Sequence, residues 1–109
     1  MKEIVKKLLS KKIVMKKMDS FDLSLLGSRK KILLFDGVDT SSNYVCIFVI
    51  EKKSRFLQKD VLELEKLYEK LVKIKDHNYK KKILMFSMPM CSKAEKLLKE
   101  LKWTLIILN

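Results

Sequence analysis

The stretch Tyr44-Val45-Cys46-Ile47-Phe48-Val49-Ile50-Glu51-Lys52-Lys53 joins the strongest strand signal in the chain to a cluster of charge. Its first seven residues are almost all β-branched or aromatic, the composition of a buried strand. Strands normally end in turn residues, so the abrupt passage into Glu51-Lys52-Lys53 marks the place to look for chemistry. Upstream lies Gly37-Val38-Asp39-Thr40-Ser41-Ser42-Asn43, which has the turn chemistry and length of a hairpin connection. Before it, Lys31 to Phe35 is a compact apolar run that stops at Asp36-Gly37, and Phe21 to Leu26 alternates and ends at Gly27. These three runs predict a meander.

The flanks read as helices. From Lys2 to about Lys17 the residues Ile4, Val5, Leu8, Leu9 and Ile13 fall on one side, and lysines cover much of the rest. From Asp60 to Lys75 the apolar residues Val61, Leu64, Leu67, Tyr68, Leu71 and Val72 recur at helical spacing, with Asp60 as the expected cap and His77-Asn78 as the stop. Lys82 to Phe86 predicts another strand. Ser92-Lys93-Ala94-Glu95 opens a helix with the face Ala94, Leu97, Leu98 and Leu101, and Thr104 to Leu108 closes the chain as a strand. The order α-βββ-α-β-α-β predicts a single α/β domain over residues 1–109, a mixed sheet with flanking helices. Within it, residues 1–18 form a basic amphipathic helix and residues 19–109 the core.

Composition narrows the function. The 109 residues carry 25 basic and 13 acidic side chains, a net charge of +12, and all the basic ones except Arg29 and Arg55 are lysine. Such a surface favours a polyanion such as nucleic acid or an anionic membrane face. It is also compatible with a surface made lysine-rich for solubility or thermal adaptation. No apolar run approaches the ~18 residues of a membrane span, and lysines interrupt any signal-peptide core. No membrane partner is expected, and a cytoplasmic location is the default. An anionic membrane surface for the basic N-terminal helix is the weakest reading kept. Cys46 and Cys91 stand in no metal-ligand spacing. Phe86-Ser87-Met88-Pro89-Met90-Cys91 is reminiscent of a thioredoxin turn, but Ala94 occupies the second cysteine position. Two glycines cannot build a phosphate loop, and a lone His77 in a polar loop gives no relay. Tyr79, among Lys80, Lys81 and Lys82, is the one candidate aromatic platform for single-stranded nucleic acid, against the alternative of an ordinary solvated loop.

That leaves the charged end of the strand. Residues two apart on a strand share a face, which sets Glu51 beside Lys53. A short hairpin would bring Asp36 beside Glu51. Two carboxylates next to an ammonium can hold a hard divalent cation and direct a water at a phosphodiester. The same three residues can equally be solvated strand ends.

Phe35-Asp36, the hairpin, Val49-Ile50-Glu51-Lys52-Lys53-Ser54-Arg55 and then Lys59-Asp60 opening a long helix resemble the PD-(D/E)xK phosphodiesterases. These restriction-endonuclease-like proteins include archaeal Holliday-junction resolvases, and the likeness to small prokaryotic members runs over roughly residues 20–108. The resemblance implies a metal-dependent nuclease hydrolysing DNA phosphodiester bonds with Mg²⁺ or Mn²⁺. By position it makes Asp36 and Glu51 metal ligands, the main-chain carbonyl of Lys52 a third, and Lys53 the catalytic lysine. Lys11, Lys12, Lys16, Lys17, Arg29, Lys30 and Arg55 would grip the DNA backbone without reading bases. Two positions depart from the family pattern: Lys52 stands where an apolar residue is usual, and Gly37 follows Asp36 in place of an apolar strand. Asp39 and Asp22 therefore stay open as rival ligands. A catalytically inactive nuclease-fold module that binds nucleic acid or a protein partner stays open as the alternative. The apolar stripe of the long helix also leaves room for a homodimer.

Overall fold

A strand apolar on both faces is stable only inside a sheet covered on both sides, and that is where residues 44–50 sit. The computed structural model describes residues 2–11, 13–21, 32–50 and 55–108, with side chains from residue 6 onward. Its elements are α1 (Lys2–Ser10), β1 (Met15–Phe21), β2 (Ile32–Asp39), β3 (Tyr44–Ile50), α2 (Gln58–Lys75), β4 (Lys81–Phe86), α3 (Ser92–Glu100) and β5 (Trp103–Ile107). The five strands form one mixed sheet in the order β1-β2-β3-β4-β5. β1, β2 and β3 run as an antiparallel meander, while β4 and β5 lie parallel to β3. The protein is a single α/β domain with the predicted element order.

The two faces of the sheet are covered differently. On one, Leu34, Cys46, Phe48, Ile50, Leu84, Phe86 and Trp103 pack against Val61, Leu64, Leu67 and Leu71 of α2 and Ala94 and Leu98 of α3. On the other, Phe35, Val45, Ile47, Val49, Ile83, Met85 and Ile106 pack with Leu8 of α1 and, partly buried, Ile13, Met15 and Met18. β3 is central, and every residue from Val45 to Ile50 is buried.

Three expectations are corrected. The N-terminal helix ends at Ser10, and the residues assigned to its last turns begin a strand. Met15 and Met18 are drawn onto the apolar face, and the ladder with β2 satisfies their backbone. The predicted strand from Phe21 to Leu26 lies, after Phe21, outside the described residues. β2 does not stop at Asp36-Gly37 but runs on to Asp39. Gly37 is a point of close approach: a Cβ there would stand 2.0 Å from the carbonyl oxygen of Lys17 and 2.8 Å from the Met15 side chain. The β1–β2 register shifts between Met15 and Lys17, so β1 bulges against this glycine. The cap of α2 also moves. Leu57 is the N-cap of α2, and its N–H donates to Asp60 Oδ2 over 2.8 Å, which puts Asp60 inside the first turn. α3 opens at Ser92 as expected, with Cys91 as its cap, the Cys91 sulfur accepting from the Ala94 N–H at 3.3 Å.

Candidate nucleic-acid interface and the Asp36 cluster

Alternation along β2 decides where its two carboxylates point. Leu34 packs on the α2 side and Phe35 on the α1 side, so Asp36 faces α2 and Asp39 faces the other layer. The two aspartates therefore cannot share a cation.

Asp36 is paired with Cys46 in the ladder, four rungs from the Ile32–Ile50 pair where the described part of β3 ends. Four rungs are about 13 Å along a strand. The hairpin thus sets Asp36 toward its turn, away from the end of β3 that leads to residue 51. Cys46, Phe48 and Ile50 share its face, whereas Val45, Ile47 and Val49 lie on the opposite one. The expectation that a short hairpin brings Asp36 to the end of β3 is thereby corrected. Glu51, Lys52 and Lys53, and the rival Asp22, lie outside the described residues.

Asp36 has other partners. Its Oδ1 accepts a 2.6 Å hydrogen bond from the Tyr79 hydroxyl, and its Oδ2 lies 3.0 Å from Lys75 Nζ at the end of α2. Burial first, and the adjacent carboxylate second, push the Tyr79 hydroxyl well above the tyrosine range, so it remains a donor. Asp19 of β1 stands opposite Asp36 but is exposed and ion-paired to Lys17 at 3.6 Å. The ladder continues this rung across the sheet, from Asp36 to Cys46, then Lys82, then Trp103. Glu65 of α2 covers the far end: its Oε1 accepts from Trp103 Nε1–H at 2.7 Å and lies 3.6 Å from Lys82 Nζ. The Lys82 ammonium sits 4.8 Å from the Tyr68 ring centroid and 5.0 Å from that of Trp103. Within this row Cys46 is fully buried, and desolvation raises its thiol pKa far above the usual value. It is an inert core residue.

Asp39 is also spoken for. It is 2% exposed. One oxygen accepts from the backbone N–H groups of Ser41 and Asn43, each at 2.9 Å, and the other from Lys81 Nζ at 2.8 Å. The Lys81 bond, followed by the Asn43 backbone N–H, holds its carboxyl well below the usual carboxylate range. It closes the hairpin turn, as turn aspartates do. Among the described residues no three His, Cys, Asp or Glu side chains gather into a metal-holding group, and Asp36 and Asp39 are each occupied by ammonium groups. The described residues do not fit the divalent cation that the sequence suggests.

The residues expected to meet DNA divide into those the structure describes and those it does not. Lys11, Lys16, Lys17 and Arg55 are exposed; Lys16 and Lys17 lie on the edge strand β1, where lysines also discourage edge-to-edge pairing. Lys12, Arg29 and Lys30 lie outside the described residues. Tyr79 is not a surface platform, since it is 6% exposed and bonded to Asp36. A different tyrosine is at the surface. Tyr44, at the start of β3, is 47% exposed. Its ring stacks on His77 with centroids 3.8 Å apart and planes 20° from parallel, and the Tyr79 ring lies nearly perpendicular to it with centroids 6.5 Å apart. Sequence reasoning placed Tyr44 only as a strand terminus. Its position beside a polar turn was the one available sign of exposure.

No protein-family model matches the chain, and no curated protein matches it. Among solved structures the chain is similar to a repair endonuclease from Pyrococcus abyssi, with a TM-score of 0.54 and 17% identity over 86% of this chain and 39% of that one. It is also similar to EndoMS in its apo form, with a TM-score of 0.60 and 17% identity over 99% of this chain and 45% of that one. The chain thus spans less than half the length of either structure. The likeness establishes a shared fold. No helix among the described residues is long and apolar enough to cross a membrane.

Proposed function

We propose that the chain is a DNA-binding domain of the nuclease fold whose Asp36 serves the fold rather than a metal. The observation that carries this reading is the engagement of Asp36 by Lys75 and Tyr79, in a domain similar in fold to part of a repair endonuclease from Pyrococcus abyssi and part of EndoMS. The net charge of +12 supplies the attraction for phosphates. Lys11, Lys16, Lys17 and Arg55, with Lys12, Arg29 and Lys30, make backbone contacts that hold DNA without reading sequence.

Hydrolysis is the second reading, favoured by the buried central strand β3 leading straight into Glu51-Lys52-Lys53. In it Glu51 and the main-chain carbonyl of Lys52 are ligands of Mg²⁺ or Mn²⁺, and Lys53 is the catalytic lysine. Asp36 takes no part. A homodimer, which would present two such surfaces to a duplex, belongs to the same proposal.

One experiment separates the readings. Labelled single-stranded, duplex and branched DNA are incubated with the protein in Mg²⁺, Mn²⁺ or EDTA, and both retention and strand scission are followed. Binding that falls steeply with salt, without scission, is expected. Metal-dependent scission that disappears in Glu51→Ala and Lys53→Ala would replace the binding-only reading with the nuclease. Binding indifferent to salt would refute both.

A further inference from the structure

The Tyr44–His77 stack has no part in the hydrophobic core, and nothing in the Asp36 cluster requires Tyr44. His77 stacks on the Tyr44 ring with centroids 3.8 Å apart, and the Tyr79 ring stands nearly perpendicular to it with centroids 6.5 Å apart. The residue is nonetheless 47% exposed. Such a ring is held rigid before any ligand arrives, so ordering costs are small.

Lys80 follows the buried Tyr79, and its backbone N–H donates to the Tyr44 carbonyl at 3.0 Å, fixing this loop against the ring's own strand. The exposed side chain of Lys80 has no ion-pair partner among the described residues. Lys73 is exposed on the last turn of α2. Lys75 and Lys81 are balanced by Asp36 and Asp39; Glu69 lines the same hollow as Lys73 and Asn78, and Asp76 lies at the C-cap of α2. An exposed aromatic ring beside an ammonium group without a counter-ion is the pairing that holds an unpaired base and its phosphate. Duplex DNA offers no such base except at its ends.

We infer that Tyr44, backed by His77 and joined to Lys80 through the backbone, is a stacking platform for an unpaired base of single-stranded DNA. This deepens the DNA-binding reading and rests on it. The substrate class follows: frayed ends, gaps or flaps are favoured over continuous duplex.

The test is fluorescence anisotropy with a labelled oligothymidine of about 12 nucleotides, within the span of a small single-strand-binding domain, beside a blunt duplex of equal length. Tyr44→Ala is expected to weaken single-strand binding about tenfold and leave duplex binding within about twofold. Tyr44→Trp, which keeps a stacking face, is expected to restore it. Lys80→Ala, which leaves the rings intact, is expected to weaken single-strand binding and lessen its salt dependence. Circular dichroism on each variant reports folding. Should Tyr44→Ala destabilise the domain, the Lys80→Ala and Tyr44→Trp results decide. Unchanged single-strand affinity in Tyr44→Ala would overturn the platform and leave the DNA-binding reading standing. A wild-type protein that retains neither DNA overturns both.

Discussion

Replacing Tyr79 with Phe removes one oxygen and tests whether Asp36 is a structural residue. The hydroxyl donates to Asp36 Oδ1 at 2.6 Å, a short bond to a charged acceptor. Such bonds contribute about 1.5–3 kcal/mol. The lower end applies, because Lys75 remains at 3.0 Å and the Asp36 side chain is 17% exposed, so water can replace part of what is lost. The expected cost is ~1.5–2 kcal/mol. An unfolding entropy of ~2.1 cal/mol/K per residue converts this to a fall in Tm of roughly 6–9 °C for a domain of this size. Urea unfolding followed by circular dichroism measures the free energy directly. The cycle with Asp36→Asn is the sharper assay: a coupling of about 1 kcal/mol between the two changes is expected. Full additivity would refute the argument, since the two side chains would then not be energetically joined. So would a Tyr79→Phe variant as stable as the wild type.

Further expectations follow from other parts of the fold. Gly37→Ala places a methyl group against the Lys17 carbonyl, so β1 must pull away from β2; a loss of ~2 kcal/mol or more is expected, with hydrogen-exchange protection falling first in β1. Leu98→Ala empties a fully buried site between α3 and the sheet and should cost ~3 kcal/mol in urea unfolding. Asp39 makes stability sensitive to acid. Its folded pKa lies below the unfolded value of about 4, so its contribution is complete above that value and fades as pH falls through the folded one. Thermal midpoints of wild type and Asp39→Asn should therefore converge as the solution is acidified below about pH 4. A constant gap would contradict the assignment.

Much of this architecture was legible from periodicity. β3 could be read because its composition leaves no other element open, and α2 because Val61, Leu64, Leu67 and Leu71 repeat at one helical face. β1 escaped because Met15 to Phe21 carries its lysines at adjacent positions, and only Met15, Met18 and Phe21 are even partly covered. An edge strand with one half-covered face presents little alternation to detect. Asp36 was misread for a different reason. A carboxylate before a glycine looks like a strand end, and only the ladder shows that the strand continues and that Tyr79, 43 residues away in sequence, is its partner. Tyr79 itself looked exposed among Lys80, Lys81 and Lys82; Lys81 and Lys82 turn inward to Asp39 and Glu65, and the ring follows them.

The row formed by Asp36, Cys46, Lys82 and Trp103 also answers a problem that β3 creates. A strand apolar on both sides can slide by one residue and lose almost no burial, so it carries little information about alignment. The row supplies it. A one-residue slip of β2 would turn Asp36 from Lys75 and Tyr79 into the layer of Phe35, Val45 and Ile47, and a slip of β4 would send Lys82 the same way, away from Glu65. Either move would leave a charge without its counter-ion in an apolar layer, a far larger cost than any lost packing. The polar groups that look most like chemistry thus act as a key, and only one alignment of the strands turns it.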